Sequence, residues 1–112
     1  MKRLVENIET YISLNQEELS LLKKYLTKKT YNKKTVFFEE GKIANEIYFV
    51  SKGCVRLFYN VDGNDKTAFF YTEGQFICAG ESYTFNIPAI ENYQAIENTD
   101  LIIFPLSLLI FS

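Results

Sequence analysis

A chain of 112 residues, 47% hydrophobic and 23% charged, is one ordinary domain, able to bury a core without disulfides or a structural metal. A formal charge of −2 and a pI near 5.2 argue against a module that holds nucleic acid by its own charge. The lack of any histidine removes the commonest general base and the usual metal ligand of a small β enzyme.

Glu6 and Glu9 interrupt the basic start Met1-Lys2-Arg3, so no apolar leader follows it. Leu4, Ile8, Tyr11 and Ile12 predict an amphipathic helix over residues 3–13. A second helix follows, with Asn15 as N-cap, Glu17 and Glu18 in the first turn and Leu19, Leu22 and Leu26 as its buried stripe. Lys23, Lys24, Lys28 and Lys29 suit the C-terminal end of its dipole better than a nucleic-acid contact. From Thr30 the pattern turns to short strands: Thr30 to Asn32, Thr35 to Phe38, Glu46 to Val50, Cys54 to Val61, Lys66 to Tyr71, Phe76 to Cys78, Ile90 to Glu97 and Leu101 to Phe104. Asp62-Gly63-Asn64-Asp65 is a hairpin turn between two of them. Many short strands with helices at one side predict a mainly β fold, an antiparallel double-sheet β-roll of jelly-roll type.

In the central hairpin Val55, Leu57 and Tyr59 should share one face, and Cys54, Arg56 and Phe58 the other. Thr67, Phe69 and Tyr71 should alternate with Ala68 and Phe70, and the aromatics Phe69, Phe70 and Tyr71 read as core. Cys54 and Cys78 lie inside apolar runs and read as free thiols of a reducing cytoplasm. The longest apolar run, Leu101 to Phe111, is broken by Pro105 and Ser107, and its eleven residues fall short of the roughly twenty that span a bilayer.

The stretch Phe37-Phe38, two residues, Gly41, two residues, Ala44, two residues, Ile47-Tyr48-Phe49-Val50, two residues, Gly53, then Val55-Arg56-Leu57, resembles the first signature of cyclic-nucleotide-binding domains. It is most similar to the effector domain of bacterial Crp/Fnr transcription regulators of the Bacteroidetes type, over roughly residues 16 to 105. Lys42 departs from the family's acidic or small polar residue.

The family's chemistry lies in a second signature. A strand leads into Gly-Glu at the start of a short helix, and an Arg stands ten residues after the Glu. The Arg pairs the phosphate bidentately, and the Glu accepts from the ribose hydroxyl. Here Gln75-Phe76-Ile77 runs into Cys78-Ala79, which in a gapless register puts Ala79 at the Glu position and Ala89 at the Arg position. The family's later small residue then falls on Ala95. A rival register through Gly80-Glu81 puts Glu91 where Arg is required. All twelve basic residues lie at or before Lys66, and residues 67–112 carry only Glu73, Glu81, Glu91, Glu97 and Asp100, a formal charge of −5.

The resemblance thus implies a pocket lined by Leu57, Ala68, Phe69, Cys78, Ala79, Glu81 and Ala89, with Phe69 partly filling it and no certain cofactor, cyclic AMP being disfavoured. The expected protein is a single cytoplasmic domain over 1–112, with a helical lead-in over 3–28, a roll over 30–104 and a C-terminal segment over 105–112. It would be the sensor domain of a Crp/Fnr-like regulator, not an enzyme, degenerate for cyclic nucleotides and lacking the DNA-binding half. The parent protein would be a homodimer that takes a small effector and meets DNA only through that missing half. The alternatives are a stand-alone binding or oligomerisation module using Leu106 to Phe111, or a receptor for a non-nucleotide small molecule.

Overall fold

The computed structural model describes Glu6 and residues 15–107. The helix predicted over residues 3–13 lies outside the described residues except for Glu6, which is helical, and so does the apolar tail beyond Ser107.

Helix α1 (Gln16–Lys24) starts where the sequence places it. Asn15 Oδ1 accepts from Glu18 N at 2.8 Å, and Glu18 Oε1 accepts from Asn15 N at 3.2 Å, a reciprocal cap that satisfies two free N–H groups. The strands are β1 (Thr27–Tyr31), β2 (Val36–Phe38), β3 (Glu46–Lys52), β4 (Cys54–Val61), β5 (Asn64–Thr72), β6 (Phe76–Ile77), β7 (Asn92–Ala95) and β8 (Thr99–Pro105), with helix α2 (Gly80–Phe85) between β6 and β7. Lys28 and Lys29 are therefore not on the helix: they pair with Ile102 and Leu101 of β8, and a continuous ladder outweighs the dipole preference of two exposed lysines. The strand expected over Ile90 to Glu97 contracts to Asn92–Ala95.

Two four-stranded antiparallel sheets result, in the orders β1-β8-β3-β6 and β2-β7-β4-β5. This is the double-sheet roll. Tyr48 and Val50 of β3 face the space between the sheets with Val55, Leu57, Ile77, Tyr93, Leu101 and Ile103. Their neighbours Ile47 and Phe49 point the other way, to Ile102, Phe104 and Leu22 of α1. Both faces of β3 and β8 are covered, which is why these strands read as unbroken apolar runs. Each fully buried large side chain contributes about 1.5–3 kcal/mol.

The hairpin between β4 and β5 turns on Asp62 (φ 53°) and Gly63 (φ 82°), the pair of positive angles that a two-residue turn between twisted strands requires. The chain passes between sheets at Gly53, where φ is 108°. A Cβ at this position would stand 2.5 Å from Thr99 Oγ1, 2.8 Å from Thr99 Cα and 2.9 Å from Asn98 O. Gly53→Ala should therefore cost about 2–4 kcal/mol, through overlap and a left-handed angle together. Urea unfolding reads the loss, and a change below about 1 kcal/mol would show that the corner yields.

Candidate ligand-binding site

The inner face of β4 carries Val55, Leu57 and Tyr59, as the alternation predicts, and Arg56 and Phe58 face outward. Arg56 is fully engaged there. Its Nη1 and Nη2 donate to the two Asp65 carboxylate oxygens at 2.5 Å each, Nη1 also to Thr67 Oγ1 at 2.9 Å, and Nε to Gln94 Oε1 at 2.6 Å. The guanidinium also lies 4.2 Å over the Phe58 ring. The Arg56 bond holds the Asp65 carboxyl below the ordinary carboxylate range, and the same bond raises Arg56. This cation is committed to the outside.

Opposite β4, the ladder runs Val55 to Tyr71, Leu57 to Phe69, then Phe58 to Thr67, so Ala68 is an extra residue. The bulge reverses parity within β5: Phe69 and Tyr71 face inward, but Thr67 faces outward, where it meets Arg56. The expected common face for Thr67, Phe69 and Tyr71 is corrected accordingly. The core assignment also fails for two of the aromatics, since Phe69 is 48% and Phe70 52% exposed, while Tyr71 is partly buried. β5 is the edge strand of its sheet, so its far flank meets solvent. Phe69 thus lies half exposed on the edge strand. Its ring lies 4.8 Å from Tyr71 at 63°, and Tyr71 lies 6.1 Å from Tyr93 at 72°.

The segment from β6 into β7 supplies the rest of the site. Ala79 is the N-cap of α2, without a side-chain cap, and Asn86 closes the helix at φ 54°. Ser82, 2% exposed, holds the short helix in place: its hydroxyl accepts from Ala44 N at 2.9 Å and donates to Ile87 O at 2.6 Å. Ala89 N donates to Lys42 O and Ala89 O accepts from Gly41 N, each at 2.8 Å. Ala79, Ala89 and Leu57 thus lie in one buried cluster with Tyr93. Cys78 packs instead with the cluster under α1, and Ala68 and Glu81 are exposed. The seven expected lining residues do not form one surface.

Glu91 is partly buried and immediately precedes β7. Its Oε1 accepts from Ile90 N at 3.1 Å. Burial raises the Tyr71 phenol, with Tyr59 and Glu91 adding to the effect. Burial likewise raises Tyr93 far above the phenol range, with Tyr71 and Glu91 contributing, and it raises the Cys78 thiol, again with Glu91. Lys66 pairs with Tyr59 and shares its face, but at the exposed hairpin end, one step farther out than Phe69. Among the described residues no group of three or more acidic, histidine or cysteine side chains could hold a metal, and no helix is long and apolar enough to cross a membrane.

Sequence reasoning missed Tyr93, Ser82 and the buried Asn92, whose Oδ1 accepts from Glu40 N at 3.0 Å and whose Nδ2 donates to Phe58 O at 3.2 Å. The period-2 pattern of Glu91, Tyr93 and Ala95 could have placed Tyr93. Nothing in the sequence marks Ser82 or Asn92 as internal ties.

Two antiparallel sheets with a short helix after the sixth strand define a β-roll. The cyclic nucleotide-binding domain model matches residues 28–110, and the chain belongs to that family. Among solved structures it is similar to the Thermus thermophilus catabolite activator protein, at 22% identity and TM-score 0.72 over 90% of this chain and 47% of that one. It is similar also to the sensor domain of the transcriptional regulator DNR from Pseudomonas aeruginosa, at 18% identity and TM-score 0.79 over 97% and 69%. The regulatory domain of Toxoplasma gondii PKA with cAMP gives 16% and 0.83 over 98% and 43%. The chain spans about half the length of the Thermus protein. No curated protein matches its sequence significantly.

The raised phenols have a measurable consequence. A tyrosine whose folded pKa exceeds its unfolded value of about 10 adds stability that is whole below that pH and is lost as pH rises toward the folded value. Tyr48, Tyr71 and Tyr93 are all raised, chiefly by burial. In an alkaline titration followed at the phenolate absorbance band, the deeply buried Tyr48 and Tyr93 should ionise only together with loss of near-ultraviolet circular dichroism. Ionisation of all tyrosines in a folded chain would contradict the burial.

Proposed function

We propose that this domain is the sensor of a Crp/Fnr-like transcription regulator, of the kind the Bacteroidetes resemblance suggests, and that its phosphate site is degenerate. The carrying observation is the electrostatics of the inner face. Neither register from β6 to β7 offers a cation, Ala79 and Ala89 are buried, the charge of Glu91 acts on the raised phenols of Tyr71 and Tyr93, and Lys66 lies at the exposed hairpin end. A cyclic phosphate there would meet like charge, and an unpaired buried phosphate is costly. Arg56 is engaged on the opposite face of the sheet.

In this reading residues 1–112 form one regulatory, non-catalytic domain, cytoplasmic and working in a homodimer. Binding or release of an effector in the roll would bias the spacing of DNA-reading domains carried elsewhere in the regulator. The likeness to a catabolite activator protein and to a regulator's sensor domain supports this, as does the family match. The lack of a cation in either register favours a non-nucleotide small molecule as the effector.

Thermal unfolding with cyclic AMP and cyclic GMP tests the degeneracy. A ligand at about a hundred times its Kd adds roughly 2.7 kcal/mol, several degrees for a domain of this size. The melting temperature should stay fixed up to millimolar nucleotide. A saturable rise with either nucleotide would mean that a cation reaches the phosphate, and the proposal would fall.

A further inference from the structure

We propose that the free edge of β5 is a self-association surface, on which a second copy of this chain lays its own β5 antiparallel, with Phe70 facing Phe70 across a two-fold axis. The contact is independent of what the roll binds.

Among the described residues the two sheets have four edges, β1, β6, β2 and β5. Three of them are blunted. β6 has two residues, β2 has three with an irregular register, and β1 carries Lys28 and Lys29 side by side, charges that discourage pairing with another chain. β5 runs nine residues and is exposed along its whole length except at Tyr71, which is partly buried. After Asp65 and Lys66 its last six residues, Thr67-Ala68-Phe69-Phe70-Tyr71-Thr72, contain no charge, glycine or proline, the composition of segments that pair between chains. Half-exposed rings stand on both flanks, Phe69 on the inner face at 48% and Phe70 on the outer at 52%. A strand laid along this edge covers both rings at once, because its own side chains alternate between the same two faces.

Parity and charge choose the register. In an antiparallel pair about a two-fold axis, opposite residues share a face, and each contact occurs twice. Centred on Phe70, Phe69 meets the second copy's Tyr71, both inward, Ala68 meets Thr72, and Glu73 falls opposite Thr67. Centring on Phe69 sets the inward Tyr71 against the outward Thr67 and Asp65 against Glu73. Centring on Tyr71 sets Phe69 against Glu73. Of the three, the first alone puts ring on ring with no charge against its like.

Sedimentation equilibrium of the full chain measures the association. The weight-average mass should climb from 13.1 kDa toward twice that value as concentration rises from micromolar to millimolar. Phe70→Lys sets two ammonium groups in opposition at a half-exposed position, and should weaken the dimer by about tenfold or more. Ile90→Lys, at an exposed apolar position on another surface, should leave it unchanged, and far-ultraviolet circular dichroism checks that both variants are folded. Phe70→Cys reads the register: mild oxidation should give more covalent dimer than the unsubstituted chain forms through Cys54 and Cys78. The proposal is overturned by a chain that stays at 13.1 kDa throughout, by a dimer that survives in folded Phe70→Lys, by a loss in Ile90→Lys as large as that in Phe70→Lys, or by no excess cross-linking in Phe70→Cys.

Discussion

The roll depends on one close approach, the contact of Gly53 with Thr99. The chain changes sheets twice at this corner, from β3 to β4 through Gly53 and from β7 to β8 just before Thr99. The fully buried Thr99 hydroxyl accepts from Cys54 N at 3.3 Å, and its proton is shared between Cys54 O at 3.2 Å and Glu97 O at 2.9 Å. Ile96 N also donates to Cys54 O at 3.0 Å. One side chain thereby ties both crossings where no sheet ladder can, and a residue without Cβ is what lets the backbones come together. With the corner fixed, Val50 and Val55 are committed to the common core, and the faces of β3 and β4 follow.

The site is a consequence of those faces plus one irregularity. If the hairpin had continued in register from its Asp-Gly turn, parity would have carried through from Thr67 to Tyr71. The extra residue at Ala68 changes this and divides the polar from the aromatic side chains. Thr67 joins Arg56, Asp65 and Gln94 in an outer polar group, while Phe69 and Tyr71 turn inward. A bulge next to a binding face is a common way to re-aim side chains. Arg56 faces outward by the alternation of β4 itself, and the Asp65 carboxylate holds it there.

How far this was legible depends on the range of the forces involved. Local rules gave the right answer at Asn15, whose capping box needs only Glu18, and at Asp62-Gly63, where two positive angles are demanded by the turn itself. Alternation correctly separated Val55, Leu57 and Tyr59 from Arg56 and Phe58, because one face of β4 packs on the opposite sheet. It failed across the hairpin, since a single inserted residue leaves no mark in composition. It also overestimated the burial of Phe69 and Phe70, because aromatic character does not reveal that β5 is an edge. Lys28 and Lys29 suited a helix end locally, yet partners more than seventy residues away made them strand. The candidate site was the least legible part. Its residues come from β4, β5, α2 and β7, and Ser82 and Asn92 matter through bonds to backbone atoms distant in sequence.

The same bonds hold the segment from β6 to β7 in shape. Ser82 ties α2 to Ala44 and Ile87, Gly41 and Lys42 ladder with Ala89, and Asn92 clips β4 to Glu40. Among the described residues no buried side-chain nitrogen or oxygen lacks a partner. The shape of this segment is therefore set by bonds from its own side chains and backbone to β4 and to the loop between β2 and β3.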